Sequence, residues 1–160
     1  MFIPNTCILS VTRVRNTEGI KEVIKGNPKL FLKHPDCDQL SLAIFLLAEY
    51  LKGPEKSFWW PYIDVMNESD LASFWTNEEL TNLGDFELKK EAEVYRDEVL
   101  SEWQDISKIL PLYPDLFRGA TKELFLKMYN YACTRCFGWT LPSTMMVPLA
   151  DFLNHKPCDT

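Results

Sequence analysis

Side chains that could bind a ligand lie close together near the end of the sequence, in the stretch VPLADFLNH from Val147 to His155. Asp151 supplies a carboxylate, Asn154 an amide that can both donate and accept hydrogen bonds, and His155 one of only two imidazoles in the chain. Taken alone, an Asn-His pair after an apolar run is more often a helix end or a hydrogen-bonded turn, and the aspartate could be a cap. The stretch therefore indicates a binding site only together with other motifs.

A second group of reactive side chains lies in YACTRCFGW, from Tyr131 to Trp139. The planar guanidinium of Arg135 suits a carboxylate, although an arginine near a helix C-terminus is also stabilised by the helix dipole. Cys133 and Cys136 form a CxxC pair, but a zinc site needs about four ligands and the sequence has no second pair. We therefore predict no metal site, and reduced thiols in the cytoplasm or nucleus, because five cysteines form no evenly spaced framework.

Composition narrows the class of protein. The 160 residues are enough for one hydrophobic core, and 46% hydrophobic with 25% charged residues is typical of a folded globular domain. A net charge of −6 argues against a surface that grips nucleic acid and favours basic partners. No apolar run is long enough to predict a membrane span. We expect a single domain without nucleic-acid or membrane partners.

The elements that must position these residues are mostly helical. CILSVTRV, at 7–14, predicts an early strand or extended segment, and DCDQLSLAIFLLAEYLKG, at 36–53, predicts a mostly buried helix. SFWWPYIDVM, at 57–66, predicts an ordered aromatic loop because of its proline. Apolar residues spaced by three or four predict long helices at 85–110 and from 121 to 138. A short strand and a loop or single helical turn should follow, which gives an α+β fold with strands at both ends.

Three of these stretches, read in order, resemble one family. FWWPYIDVM, YACTRCFGW and VPLADFLNH are similar in sequence and spacing to the helical-insertion branch of SET-domain methyltransferases, which includes plant Rubisco large-subunit lysine methyltransferases and an actin histidine methyltransferase. The resemblance implies a partial SET domain over residues 1–160. Within it, 54–120 would hold the aromatic loop and the helical insertion, and 121–160 would return to the core.

The resemblance also implies a cofactor and the residues that bind it. In this family the Asn-His pair meets S-adenosylmethionine, so Asn154 and His155 are expected to contact it, the histidine largely through backbone atoms. Arg135 matches an arginine near the cofactor carboxylate, and Thr134 stands where a serine is more familiar. Asp151 matches an aspartate near the cofactor and the substrate channel, where it would bind a cationic amine or order the loop.

Two segments of the family pattern have no counterpart here: a glycine-rich segment before Phe2, and later strands with the channel tyrosine expected beyond Thr160. The implied function is transfer of a methyl group to a lysine, or a histidine, in a basic segment of a protein. This function is expected if the chain is part of a longer protein, in which a partner chain or a further segment completes the sheet. The alternative is a shortened, inactive SET-like module that acts as a structural or interaction subunit.

Overall fold

The structure is a computed structural model that describes residues 2–32, 37–138 and 141–153. Three short strands and nine α-helices are present in these ranges. The helices are α1 (Val11–Asn16), α2 (Ile20–Gly26), α3 (Pro28–Phe31), α4 (Cys37–Lys52), α5 (Trp60–Val65), α6 (Asn77–Asn82), α7 (Phe86–Ile109), α8 (Pro114–Phe117) and α9 (Lys122–Arg135). Single 3₁₀ turns lie at Asn5–Cys7, Ala72–Phe74, Leu110–Leu112 and Ala150–Phe152.

Helix α4 lies at the centre of the core because it is apolar on almost every face. Every residue from Leu40 to Glu49 is buried, as expected of a helix surrounded by protein. Helix α9 packs along α4 more extensively than any other element, and it buries Phe125, Met128 and Ala132. The packing of α9 on α4 therefore fixes the position of Arg135 at the C-terminal end of α9.

None of the helices that the structure describes is both long and apolar enough to cross a membrane.

Helix α7 confirms the amphipathic helix predicted at 85–110. Its buried residues Ala92, Val99 and Ile106 recur every seven residues along one side, which is the spacing of a helix that packs on one face only. The Asp85 side chain accepts a hydrogen bond from the backbone N–H of Leu88 at 3.0 Å and so caps the first turn.

The two ends of the described chain meet in one small antiparallel sheet. Strands β1 (Leu9–Ser10), β2 (Cys136–Phe137) and β3 (Met145–Met146) are ordered β1-β3-β2. In register, Met146 lies opposite Leu9 on one side and opposite Cys136 on the other. The predicted α+β class, with short strands at both ends of a helical chain, is confirmed.

Two local predictions were wrong in part. Ile8 is extended and Leu9–Ser10 form a strand, but the strand ends at Ser10, because the Ser10 side chain accepts a hydrogen bond from Arg13 N at 3.1 Å and caps α1. The predicted aromatic loop contains helix α5, because Pro61 stands in the first helical turn, where a missing N–H costs nothing.

Candidate active site

The candidate site is centred on Arg135 and Asp151, which the fold brings together from separate elements. Arg135 is the last residue of α9, and Asp151 lies in the 3₁₀ turn that follows β3. Arg135 Nη1 lies 3.7 Å from Asp151 Oδ2, with 13% and 1% of the two side chains exposed. At this distance the two groups form an ion pair but not a direct hydrogen bond.

Arg135 is held by two further contacts. Its Nη2 donates a hydrogen bond to the carbonyl oxygen of Asn67 at 3.1 Å, and its guanidinium lies over the Phe152 ring at 5.1 Å from the centroid. Stacking on an aromatic face and a fork of donors are properties that arginine has and lysine lacks. The guanidinium plane is thus oriented before any ligand binds.

The loop that supplies Asn67 is itself fastened to α9. The Asn130 amide accepts a hydrogen bond from Ser69 N at 3.0 Å and donates one to Ser69 O at 2.9 Å. The Tyr131 hydroxyl donates to Met66 O at 2.7 Å. Both α9 side chains are buried, so these bonds are shielded from competing water, and the backbone at one edge of the site is fixed.

Tyr62 completes the cluster from helix α5. Its hydroxyl donates a hydrogen bond to Asp151 Oδ2 at 2.6 Å, and its ring meets Phe152 edge-on at 6.4 Å. Burial raises the pKa of Tyr62 above its usual range, and the hydrogen bond and negative charge of Asp151 raise it further. Tyr62 therefore keeps its proton at neutral pH and acts as the donor.

Two buried polar atoms in this cluster have no hydrogen-bond partner among the residues that the structure describes. They are Nε of Arg135, a donor, and Oδ1 of Asp151, an acceptor. Buried polar groups in folded proteins are nearly always paired, so an unpaired donor and an unpaired acceptor on the two members of one ion pair indicate a place for a ligand or water. The amino-acid end of a ligand carries both complementary groups, a carboxylate and an ammonium.

A strained turn delivers Asp151 to this position. Leu149 has φ 73° and ψ −37°, and Val147 O accepts hydrogen bonds from Ala150 N at 3.1 Å and Asp151 N at 3.2 Å. The third position of such a turn usually holds glycine or asparagine, because a Cβ is crowded at positive φ. Strain of this kind is common at functional sites.

We expect Leu149→Gly to stabilise the protein by about 0.5 to 1 kcal/mol. The strain is worth about 1 to 2 kcal/mol and the added freedom of the unfolded chain removes part of that gain, while Leu149 is 56% exposed and loses little burial. Leu153→Gly is the matched control, because Leu153 is also exposed but has φ −77°, and it should destabilise. Urea unfolding measures both, and equal losses would contradict the strain assignment.

Thr134 lies next to the cluster but is already paired. Its hydroxyl donates to Asn130 O at 2.7 Å, one helical turn back. The same residue lines an open cavity of about 330 Å³ between α7 and α9, together with Tyr95 and Cys133. Its predicted role at the cofactor stays a prediction.

The cysteine pair shows no sign of metal binding in the part of the chain that the structure describes, where no group of three or more potential ligands occurs. Burial raises the pKa of the Cys133 thiol to about 12, and its sulfur accepts a hydrogen bond from the Tyr95 hydroxyl at 3.0 Å. A protonated thiol is a poor metal ligand and a poor nucleophile at neutral pH.

Asn154 and His155, the pair on which the cofactor prediction depended most, lie outside the described residues. Their roles stay predictions.

Sequence reasoning missed Tyr62 as a site residue. The tyrosine stands inside the FWWPYIDVM motif, but its aromatic neighbours indicated packing, and nothing in its local sequence points to a partner 89 residues away.

The fold and the strand arrangement are similar to those of SET domains, since two solved structures match over nearly the whole chain. The SET domain of LSMT, bound to lysine and AdoHcy, matches with a TM-score of 0.80 and 26% identity over 99% of this chain and 34% of that one. Rubisco LSMT, bound to sinefungin and monomethyllysine, matches with a TM-score of 0.73 and 25% identity over 96% of this chain and 34% of that one. The predicted resemblance is confirmed.

This chain spans about a third of the length of those structures. No protein-family model matches its sequence, and no curated protein matches it either.

Proposed function

We propose that this chain is part of a protein methyltransferase that uses S-adenosylmethionine and methylates lysine side chains, with histidine as the alternative acceptor. The observation that carries the proposal is the match of 99% of the chain to a SET domain that binds lysine and AdoHcy. AdoHcy is the product left when S-adenosylmethionine gives up its methyl group, and sinefungin is an analogue of the same molecule. The bound lysine and monomethyllysine support lysine as the acceptor.

The residues of the candidate site suit the amino-acid end of that cofactor. Arg135 offers Nε as a free donor, suited to a carboxylate, and Asp151 offers Oδ1 as a free acceptor, suited to an ammonium. Asn154 and His155 are proposed to contact the cofactor as the sequence predicts. When bound, S-adenosylmethionine supplies a methyl group on a positively charged sulfur.

The chain's own contribution is orientation. Arg135 is stacked and hydrogen-bonded in advance, and Asp151 is held by Tyr62, so little freedom would be lost when a ligand binds. A fixed orientation of reactants accounts for a large part of the barrier reduction in group transfer. The net charge of −6 supports a basic segment as the protein substrate.

Calorimetric titration of S-adenosylmethionine tests the proposal. Arg135→Ala and Asn154→Ala should each weaken binding by about 1.5 to 3 kcal/mol, a ten- to hundredfold loss, because each removes a hydrogen bond to a charged group. His155→Ala should weaken it less, and the affinity should change little between pH 6 and 8, since the imidazole charge is not the binding group.

Arg96→Ala is the matched control. Arg96 donates to Trp75 O at 3.0 Å and to Asn77 Oδ1 at 2.9 Å, away from the site, so its loss should leave the affinity unchanged. The titration is made with this chain and with any longer polypeptide that its gene encodes. A cooperatively folded protein that binds no S-adenosylmethionine in either form would overturn the enzyme proposal and favour the inactive module.

Transfer assays with labelled S-adenosylmethionine identify the acceptor. A basic peptide containing one lysine and the same peptide with histidine at that position are compared, and methyllysine is the expected product after acid hydrolysis. Methylhistidine alone would show that the acceptor assignment is wrong while the methyltransferase assignment holds.

A further inference from the structure

The Asp151 carboxylate is held asymmetrically. Both of its contacts fall on one oxygen: the Tyr62 hydroxyl donates to Oδ2 at 2.6 Å, and Arg135 Nη1 approaches the same Oδ2 at 3.7 Å. Oδ1 is buried and unpaired among the described residues. The hydroxyl thus determines which oxygen remains free.

Without the Tyr62 hydroxyl, the Asp151 carboxylate could turn to pair fully with Arg135. A carboxylate and a guanidinium can pair through two parallel hydrogen bonds, which is their most favourable arrangement. Such a pair would occupy both oxygens of Asp151 and turn the free donors of Arg135 inward. The bond to Tyr62 keeps Oδ2 engaged, and the ion pair stays open at 3.7 Å.

Tyr62 is well anchored for this purpose. Only 7% of the residue is exposed, and its ring packs edge-on against both Trp59 and Phe152, with 6.4 Å between centroids in each case. Helix α5 fixes its backbone. The hydroxyl therefore has little freedom to follow the carboxylate if Asp151 rotates.

We propose that Tyr62 is a positioning residue, which holds Asp151 Oδ2 so that Oδ1 accepts a hydrogen bond from a primary ammonium group of the ligand. This inference rests on the proposed function, and it adds a residue to the site and a chemical role for the free oxygen. Two ligands could supply the ammonium: S-adenosylmethionine, through its amino-acid end, and the lysine substrate. The same bond prevents Asp151 and Arg135 from closing onto each other.

Tyr62→Phe tests the inference because it removes the hydroxyl and keeps the ring. If the cofactor supplies the ammonium, S-adenosylmethionine should bind about tenfold more weakly, since one hydrogen bond to a charged group is misplaced. Methylthioadenosine has the same nucleoside and a methylated sulfur, neutral where that of S-adenosylmethionine is charged, but no amino-acid end, so Tyr62→Phe should not change its affinity. If the substrate supplies the ammonium, the loss appears instead for monomethyllysine titrated in the presence of AdoHcy.

Two controls separate positioning from a structural effect. Tyr95→Phe removes another part-buried hydroxyl, bonded to Cys133 Sγ at 3.0 Å, and should leave all three affinities unchanged. In an Asp151→Ala background, which has no acceptor for the Tyr62 hydroxyl, Tyr62→Phe should have no further effect on binding, because the two residues act through one bond.

The outcomes are distinct. Binding of S-adenosylmethionine by the wild-type chain with unchanged affinities in Tyr62→Phe would overturn this inference and leave the proposed function intact. Equal losses for S-adenosylmethionine and methylthioadenosine would also overturn it, since they would mark a general structural role. Failure of the wild-type protein to bind any of these ligands would overturn the proposed function itself.

Discussion

The free energy of unfolding should fall steeply above about pH 10, with three tyrosines contributing roughly 4 kcal/mol per pH unit once the transition is fully developed. They are Tyr62 and Tyr129, which are buried, and Tyr95, which is partly buried. Burial is the largest cause of the raised pKa in each, and nearby groups raise it further, Asp151 for Tyr62 and Cys133 for the other two. All three keep their protons in the folded protein at a pH where free tyrosines ionise.

The sign follows from counting protons in the two states. Above the ordinary tyrosine pKa of 10.0, the unfolded chain releases protons that the folded chain retains. The unfolded state then binds fewer protons, so stability decreases as pH rises, by about 1.4 kcal/mol per pH unit for each tyrosine. The contribution of the three tyrosines is fully present below pH 10. Tyr131 and the Cys133 thiol also have raised pKa values and add losses of the same sign, and that of the thiol begins near pH 9.

Urea unfolding in steps from pH 8 to 11 measures the slope. Tyr129→Phe should reduce it by about 1.4 kcal/mol per pH unit, since one linked proton is removed. A slope that is the same in wild type and Tyr129→Phe would contradict the assignment of the alkaline transition to these side chains.

Helices with a regular apolar spacing were predictable from the sequence because their signals are local. The predicted helix at 85–110 is found at Phe86–Ile109, with Asp85 as its cap, and the next helix begins after Thr121, as predicted. Its end was misplaced, because Cys136–Phe137 leave the helix and pair with Met145–Met146. That pairing depends on a partner strand and leaves no mark on the helical spacing.

Short elements were predicted less well because tertiary contacts decide them. Val11 and Val14 favour a strand by propensity, yet both are buried on one face of α1, where the cap at Ser10 and the burial outweigh a propensity difference of about 1 kcal/mol or less. Pro61 excludes only the interior of a helix, and it is compatible with the first turn of α5.

For the site, the resemblance of the motifs identified Arg135 and Asp151. The fold places Arg135 Nη1 3.7 Å from Asp151 Oδ2. Tyr62 could not be predicted as their partner, because a hydrogen bond between residues 89 positions apart has no signature in local spacing. A contact of this kind depends on how α5 packs beside the turn at Ala150–Phe152. Only the three-dimensional structure shows it.

Replacing Asp151 by alanine should reduce the free energy of unfolding by about 3 kcal/mol. The carboxylate is 99% buried, since only 1% of the side chain is exposed, and its removal leaves the Arg135 charge and the Tyr62 hydroxyl without their acceptor. Breaking a buried pair by removing one partner typically costs about 3 to 5 kcal/mol. We expect the lower end, because Arg135 keeps its bond to Asn67 O.

Urea unfolding at pH 7 measures this loss, with Asp105→Ala as the matched control. Asp105 pairs with Lys108 at 2.8 Å, but 57% and 70% of these side chains are exposed, so its loss should cost no more than about half a kcal/mol. Equal effects of the two substitutions would contradict the burial and pairing of Asp151.

A compensated variant then separates stability from binding. Combining Tyr62→Phe, Arg135→Met and Asp151→Leu replaces the polar cluster by apolar side chains of similar size, which in buried ion pairs is often neutral or stabilising. This variant should unfold within about 1 kcal/mol of wild type and yet bind no S-adenosylmethionine. Recovered stability with retained binding would show that the cluster only supports the fold. Recovered stability with lost binding would separate the two roles of the cluster. The charges that cost stability when they are unpaired are the same charges that would recognise the ligand.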